Sequence, residues 1–296
     1  MVTKEMRRWP CIFLSAAKAW NSDNAFRHSS SVSFNTLFSL APITVIAAAI
    51  AGAVFGKDQA GKALQKQLAA LIGEESAKMI RQTGEKAAEA MHGTWITTTI
   101  GVAVLLFGAT TVFGQLQDSL NSIWKVRQKP SRSGWLVLIS QRLLSFAMVL
   151  TVGFLLLVSL ILTTALETAT AHFAAGRDAP TLKVADVAVS IIVVTVLFAL
   201  LLKVMPDVQV RWREVWQSGF VTALLFTLGR YGISLYLGHS NVASVYGAAG
   251  SLVALLIWIY YSCAIFFYGA ELVKADRAAH HQPVVPKKTA VLTEGP

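Results

Sequence analysis

From Ser251 through Ala270 the chain runs for 20 residues without a charged side chain. At about 1.5 Å per residue, a helix of that length spans the roughly 30 Å of a bilayer's hydrocarbon core. Inside that core no water satisfies backbone N–H and C=O groups, so a segment of this kind folds as a helix. The run ends on a carboxylate, Glu271, followed by Lys274 and Arg277. At alternating +4 and +3 steps one stripe reads Gly250, Ala254, Ile257, Tyr261, Ala264, Tyr268 and Glu271. Small residues alternate with bulkier ones along it, which predicts a seam against a partner helix.

Composition extends the argument to the whole chain. The 296 residues are 54% hydrophobic and 14% charged, with a mean hydropathy of +0.55. Soluble domains carry roughly 25% charged residues, so the balance points to an all-α polytopic membrane protein. Six spans are predicted, at about 32–55, 95–114, 143–166, 182–205, 215–237 and 250–273, together forming one domain over 32–273. Residues 1–31 form an N-terminal segment in which Trp9, Ile12, Phe13, Ala16 and Trp20 share one helical face. That face suits a helix lying in the membrane interface or one packed on the spans. The connector from 56 to 93 places Leu64, Leu68, Leu71 and Ile72 at helical spacing, then Met79 and Ile80, and is read as two short amphipathic helices. Residues 274–296 are polar, contain Pro283 and Pro286, and are expected to be a disordered tail.

Six spans put both termini on one side of the membrane. Of the 26 Lys and Arg residues, 17 fall in the N-terminal segment, the second and fourth connectors and the C-terminal segment, against 8 in the odd-numbered connectors. The positive-inside rule therefore predicts cytoplasmic termini. The net charge of +10 does not indicate nucleic-acid binding, because the basic residues sit between apolar runs rather than on one polar face. Cys11 and Cys263 offer neither a disulfide framework nor zinc spacing.

With that orientation Asn35, Gln115, Asp118, Asn121, Arg142, Lys203 and Glu271 all lie near the cytoplasmic ends of their helices. Two readings stand. Either these groups cap helices and snorkel to water, or Asn35, Asp118, Asn121, Arg142 and Glu271 form a shared polar mouth or helix lock. In the second reading Glu271 faces Arg142 or the Asp118/Asn121 face, and Pro42 kinks the first span beside the mouth. Arg230 lies within the fifth span, where an unpaired arginine costs about 2.5–3.5 kcal/mol at the bilayer centre. Asp186 and Glu167 are acids at comparable depth and are its expected partners; the alternative is snorkelling to the outer surface. The six histidines are scattered, and HExxH, CxxC, Walker and GxSxG motifs are absent. No catalytic residue, cofactor or metal is expected, and the chain is not read as an enzyme.

Three stretches in combination resemble the YihY/BrkB family of bacterial inner-membrane proteins: Ser33–Pro42, Phe113–Trp124, and Tyr246-Gly247 onward to Gly269-Ala270-Glu271. Their order and spacing span most of residues 30–273. The first stretch begins Val32-Ser33-Phe34-Asn35 where the family more usually has Ala-Tyr-Tyr, which removes any role for a tyrosine there. The resemblance implies six spans, cytoplasmic termini and a bacterial inner-membrane location. It also implies a transporter or lipid-handling protein of undefined substrate, small molecule or lipid. The alternative is a non-transporting scaffold tied to envelope integrity or virulence. The bilayer itself is the expected partner, with nucleic acid excluded and a homo-oligomer left open. The label ribonuclease BN, once given to some members, finds no support in a chain without a metal cluster or a soluble RNA-binding domain.

Overall fold

The computed structural model describes residues 9–39, 95–129, 179–239 and 250–293, with isolated positions between 77 and 85 and residue 147. In chain order the elements are α1 (Trp9–Ser22), α2 (25–39), α3 (Trp95–Ile123), β1 (Val126–Gln128), α4 (Ala179–Val204), α5 (Trp212–His239), α6 (Gly250–Ala279) and β2 (Ala290–Leu292). The fold is mostly helical. Among the described residues one helix, Leu252–Ala279, is apolar and long enough to cross a membrane, with a mean hydropathy of 1.9. A shorter apolar run, Ser190–Val204, lies within α4. The predicted span at 143–166, apart from residue 147, and the part of the first span beyond residue 39 lie outside the described residues. So do the two connector helices, apart from isolated helical positions.

Packing follows the small residues. α4 lies against α5, and α5 and α1 both lie against α6. Gly229 of α5 accommodates the ring of Tyr261, and Gly269 of α6 accommodates the side chain of Thr222, so a Cβ at either glycine would collide with its neighbour. Tyr261 and Ala264 are two members of the predicted seam. Ala264 is buried, and its carbonyl accepts a 2.9 Å hydrogen bond from the Trp20 indole. Tyr268, the next member, donates to the carbonyl of Phe13 at 3.2 Å. The seam therefore serves two partners, α5 and the N-terminal helix.

Of the two readings of α1, packing is what the structure contains. Ile12 and Ala16 are buried against Leu272, with Phe13, Tyr268 and Ala275 around them. The chain then turns at Asp23 and Asn24. Asn24 takes a left-handed backbone with φ of 55°, a conformation that asparagine tolerates at a helix end. The larger core joins Leu120, Ile123 and Trp124 of α3 to Leu202 and Met205 at the end of α4, Val215 of α5, and Phe267 and Val273 of α6.

The outward face of α5 is apolar at every turn: Trp212, Trp216, Phe220, Leu224, Leu228 and Tyr231 are all exposed. A continuous exposed stripe of this kind is costly in water and suits a lipid surface, with tryptophan at one end at headgroup level.

The expectation of a disordered tail is corrected. α6 continues to Ala279, and β2 pairs antiparallel with β1, with Val126 opposite Leu292, Arg127 opposite Val291 and Gln128 opposite Ala290. Between them the tail bonds to the loop after α4: Gln209 N–H donates to Val285 O at 2.8 Å and Lys287 N–H to Asp207 O at 2.9 Å. Each pairing is only a few residues long and its partner is distant in sequence. Local composition, rich in proline and polar groups, therefore pointed the other way.

Candidate functional site: a polar layer joining the helix ends

The C-terminal ends of α3, α4 and α6, the N-terminus of α5 and the α1–α2 turn meet in one polar layer. α3 is its hub. Further up α3, roughly 20 and 9 Å from Asn121 along the helix axis, α2 is held by Ser39 Oγ, which donates to Gly108 O at 2.6 Å, and by Asn35 Nδ2, which reaches Gln115 Oε1 at 3.5 Å. Towards the loop after α4, Asn121 and Asp207 form a reciprocal pair. Asn121 Nδ2 donates to Asp207 Oδ2 at 2.9 Å, and the Asp207 N–H donates to Asn121 Oδ1 at 2.8 Å. Gln117 Nε2 adds a third bond to Asp207 Oδ1 at 3.3 Å. Gln117, Asn121 and Asp207 are all buried. A buried carboxylate is tolerable only when donors reach it, and here the amides of Asn121 and Gln117 each donate to one of its oxygens.

Two residues further along α3, the Ile123 carbonyl accepts a 2.8 Å bond from Lys274 of α6. Lys274 also donates to Asp23 at 2.6 Å and lies 3.4 Å from Glu271. Lys125 bonds the other oxygen of Asp23 at 2.8 Å. Burial pushes the Asp23 carboxyl up, but the hydrogen bonds from Lys125 and Lys274 outweigh it and hold the group below its usual 3.8. The sign of the linkage follows. A carboxyl whose folded pKa lies below its unfolded one contributes stability above the unfolded value and loses it as pH falls through the folded value. Thermal unfolding of detergent-solubilised protein between about pH 6 and pH 3 should thus show wild-type stability falling below about pH 4. Asp23→Asn should be less stable at neutral pH and flatter on the acid side. Parallel curves for the two proteins would remove the ion pair from the account.

Glu271 itself is fully buried, and neither of its carboxylate oxygens receives a hydrogen bond. Among the described residues its one ionic partner is Lys274, which Asp23 shares at closer range.

A third cluster closes the layer. Glu214 occupies the third position of α5 and reaches back to the Arg211 N–H at 3.0 Å, one half of a capping box that favours the helix dipole as well. The same Glu214 oxygen accepts from Arg277 at 3.3 Å, both side chains being buried. Arg277 also donates to the carbonyls of Gln209 at 2.8 Å and Pro283 at 2.7 Å. One cavity of about 610 Å³ lies beside this cluster, between the 203–212 segment, Arg277 and the tail. A smaller one of about 250 Å³ lies between α1, the start of α5 and the end of α6, with Trp9, Glu214 and His280 among its lining residues.

The sequence-predicted residues distribute as follows. Asn35 meets Gln115, Asn121 pairs with Asp207, and Glu271 lies by Lys274, which Asp23 shares. Asp118 is exposed. Pro42, Arg142 and Glu167 lie outside the described residues, and of Asp186 the backbone alone is described, within α4. Arg230 is half-buried, with its guanidinium 5.2 Å from the Tyr231 ring centroid. Sequence reasoning missed Gln117, Asp207, Asp23 and Glu214. The i,i+3 spacing of Glu271 and Lys274 was the one local signal for the contact between them. Among the described residues no group of three His, Cys, Asp or Glu side chains stands in metal-holding proximity.

Known proteins place this geometry in a family. The chain is similar to UPF0761 membrane proteins from Verminephrobacter eiseniae, at 30% identity over 88% of this chain and 61% of the relative. A second, from Methylibium petroleiphilum, is 28% identical over 92% of this chain and 64% of its own length. A third, from Paraburkholderia xenovorans, is 27% identical over 88% and 58%. The chain thus spans about three fifths of the length of these relatives. No solved structure matches it. The profile of the family described as Virulence factor BrkB matches residues 16–289, which takes in the α1–α2 turn, all of α3 to α6 and the tail up to β2. The chain belongs to the BrkB family of membrane proteins.

Proposed function

We propose that this protein crosses the bacterial inner membrane six times, with both termini and the polar layer on the cytoplasmic side, and moves or handles a small-molecule or lipid substrate. It works without a cofactor and is not an enzyme. The positive-inside bias of the connectors supports the orientation, and the apolar stripe of α5 supports its contact with lipid. The observation that carries the reading is Glu271: a carboxylate fully buried in a membrane helix whose oxygens receive no hydrogen bond. Asp207 receives two hydrogen bonds and Glu214 is unbonded at one oxygen alone, whereas Glu271 is unbonded at both among the described residues, which suits a site that a ligand or proton visits.

The saturated bonds of Asn121, Asp207 and Lys274 favour a second reading, a scaffold whose polar groups only lock helices. A reconstituted flux and lipid-scrambling assay separates the two. Transport predicts flux above protein-free vesicles, reduced at least about ten-fold by Glu271→Gln with unchanged thermal stability, as expected for a group that acts rather than holds. Wild-type vesicles indistinguishable from empty ones support the scaffold.

A further inference from the structure

The larger cavity is not explained by helix locking. Lys203, Arg211, Arg277 and Lys287 line it together with Trp212, and among the described residues no carboxylate does. Two acids lie behind this wall. Glu214 holds one edge of Arg277, and the charge of Asp207 acts on Lys287. Lys203 donates to the Val210 carbonyl and lies 5.7 Å from the Trp212 ring centroid, while Lys287 donates to Val204 O at 2.9 Å. Arg277 is only 6% exposed, and its buried Nε has no hydrogen-bond partner among the described residues. Burial, together with the nearby Lys203 charge, lowers the Lys287 ammonium below its usual value, against the pull of Asp207. An anion between these groups would relieve that repulsion.

The position of the cavity identifies the anion. It opens where α4 ends and α5 begins, and Trp212 is both part of its wall and the first member of the exposed apolar stripe that continues down α5. A phosphate in the cavity would therefore stand at headgroup level, with apolar chains attached to it lying along Trp216, Phe220 and Leu224. We propose that this cavity binds the phosphate of an anionic phospholipid headgroup through Lys203, Arg211, Arg277 and Lys287. Basic pockets between membrane helices on the cytoplasmic side suit such headgroups. The site requires no transport activity and is tested apart from it.

The experiment uses the full chain, purified in detergent, and follows lipid retention by native mass spectrometry and stabilisation by thermal unfolding. The probes are phosphatidylglycerol, phosphatidylcholine, inorganic phosphate and glycerol 3-phosphate. The expected result is preferential retention of phosphatidylglycerol over phosphatidylcholine, weakened about five-fold for each cationic charge removed. Arg211→Gln and the pair Lys203→Gln with Lys287→Gln supply those losses. Arg211 is exposed, so its variant reports binding even if the double variant folds poorly. Equal retention of phosphatidylglycerol by wild type and a folded Arg211→Gln would overturn the proposal. So would inorganic phosphate or glycerol 3-phosphate binding as tightly as the lipid, which would make the cavity a site for a free phosphate compound.

Discussion

Replacing Asn121 with leucine should destabilise the folded protein by about 3 kcal/mol, because it leaves both the Asp207 carboxylate and the Asp207 N–H short of a partner in a buried place. The magnitude comes from the asymmetry of buried hydrogen bonds. A formed bond contributes about 1 kcal/mol net, whereas a stranded polar group bears its full desolvation cost, greater when it is charged. Gln117 keeps its 3.3 Å bond to the other carboxylate oxygen, but it cannot reproduce the two-way contact. The effect should appear as a lowered midpoint in denaturant or thermal unfolding of the detergent-solubilised protein. It should be larger than that of Asn35→Leu, since Asn35 meets Gln115 only at 3.5 Å and also has the Ser31 carbonyl at 2.9 Å.

Substituting Gly269 by leucine should be at least as damaging. The Cβ it introduces overlaps Thr222 Oγ1 and lies 3.3 Å from Thr222 Cβ. Thr222 has nowhere to move. It is fully buried, its χ1 is stiff in a helix, and its hydroxyl donates to Ser218 O at 2.7 Å. Relief requires α5 and α6 to separate, and forced separation of a packed interface costs about 1–3 kcal/mol or more. The milder Gly269→Ala should lose less and recover part of its stability when combined with Thr222→Ala, which removes the overlapping oxygen. Identical losses with and without Thr222→Ala would place the strain elsewhere.

How far the sequence led can be read from single residues. The charge-free run from Ser251 to Ala270 became the core of α6, because length, hydropathy and helical period are local properties of one segment. The stripe on it packs where the small residues allow, with Tyr261 against Gly229 and Ala264 under Trp20. Asn121 was recognised as a polar residue at a helix end, yet its partner was not. Asp207 follows Pro206 in a turn of the loop after α4, and nothing within that turn records which helix it will meet. Glu271 meets Lys274, one turn away on its own helix, and Arg142, one of its expected partners, lies outside the described residues. The tail was misread for a related reason. Three-residue strands carry no period of their own, and the pairing of Ala290–Leu292 with Val126–Gln128 is written at opposite ends of the chain. The cationic cavity is of the same kind: Lys203, Arg211, Arg277 and Lys287 come from four separate stretches, each unremarkable alone.

The central claim is that one polar layer, with α3 as its hub, fixes the ends of the helices against each other. A double-mutant cycle on Asn121 and Asp207, each replaced by alanine singly and together and read by equilibrium unfolding in detergent, tests it most directly. Residues in direct contact couple by roughly 0.5–3 kcal/mol, and the reciprocal pair predicts a value in the upper half of that range. A coupling near zero, with the two single losses simply adding, would contradict the account, because Asn121 and Asp207 would then stabilise the protein without meeting.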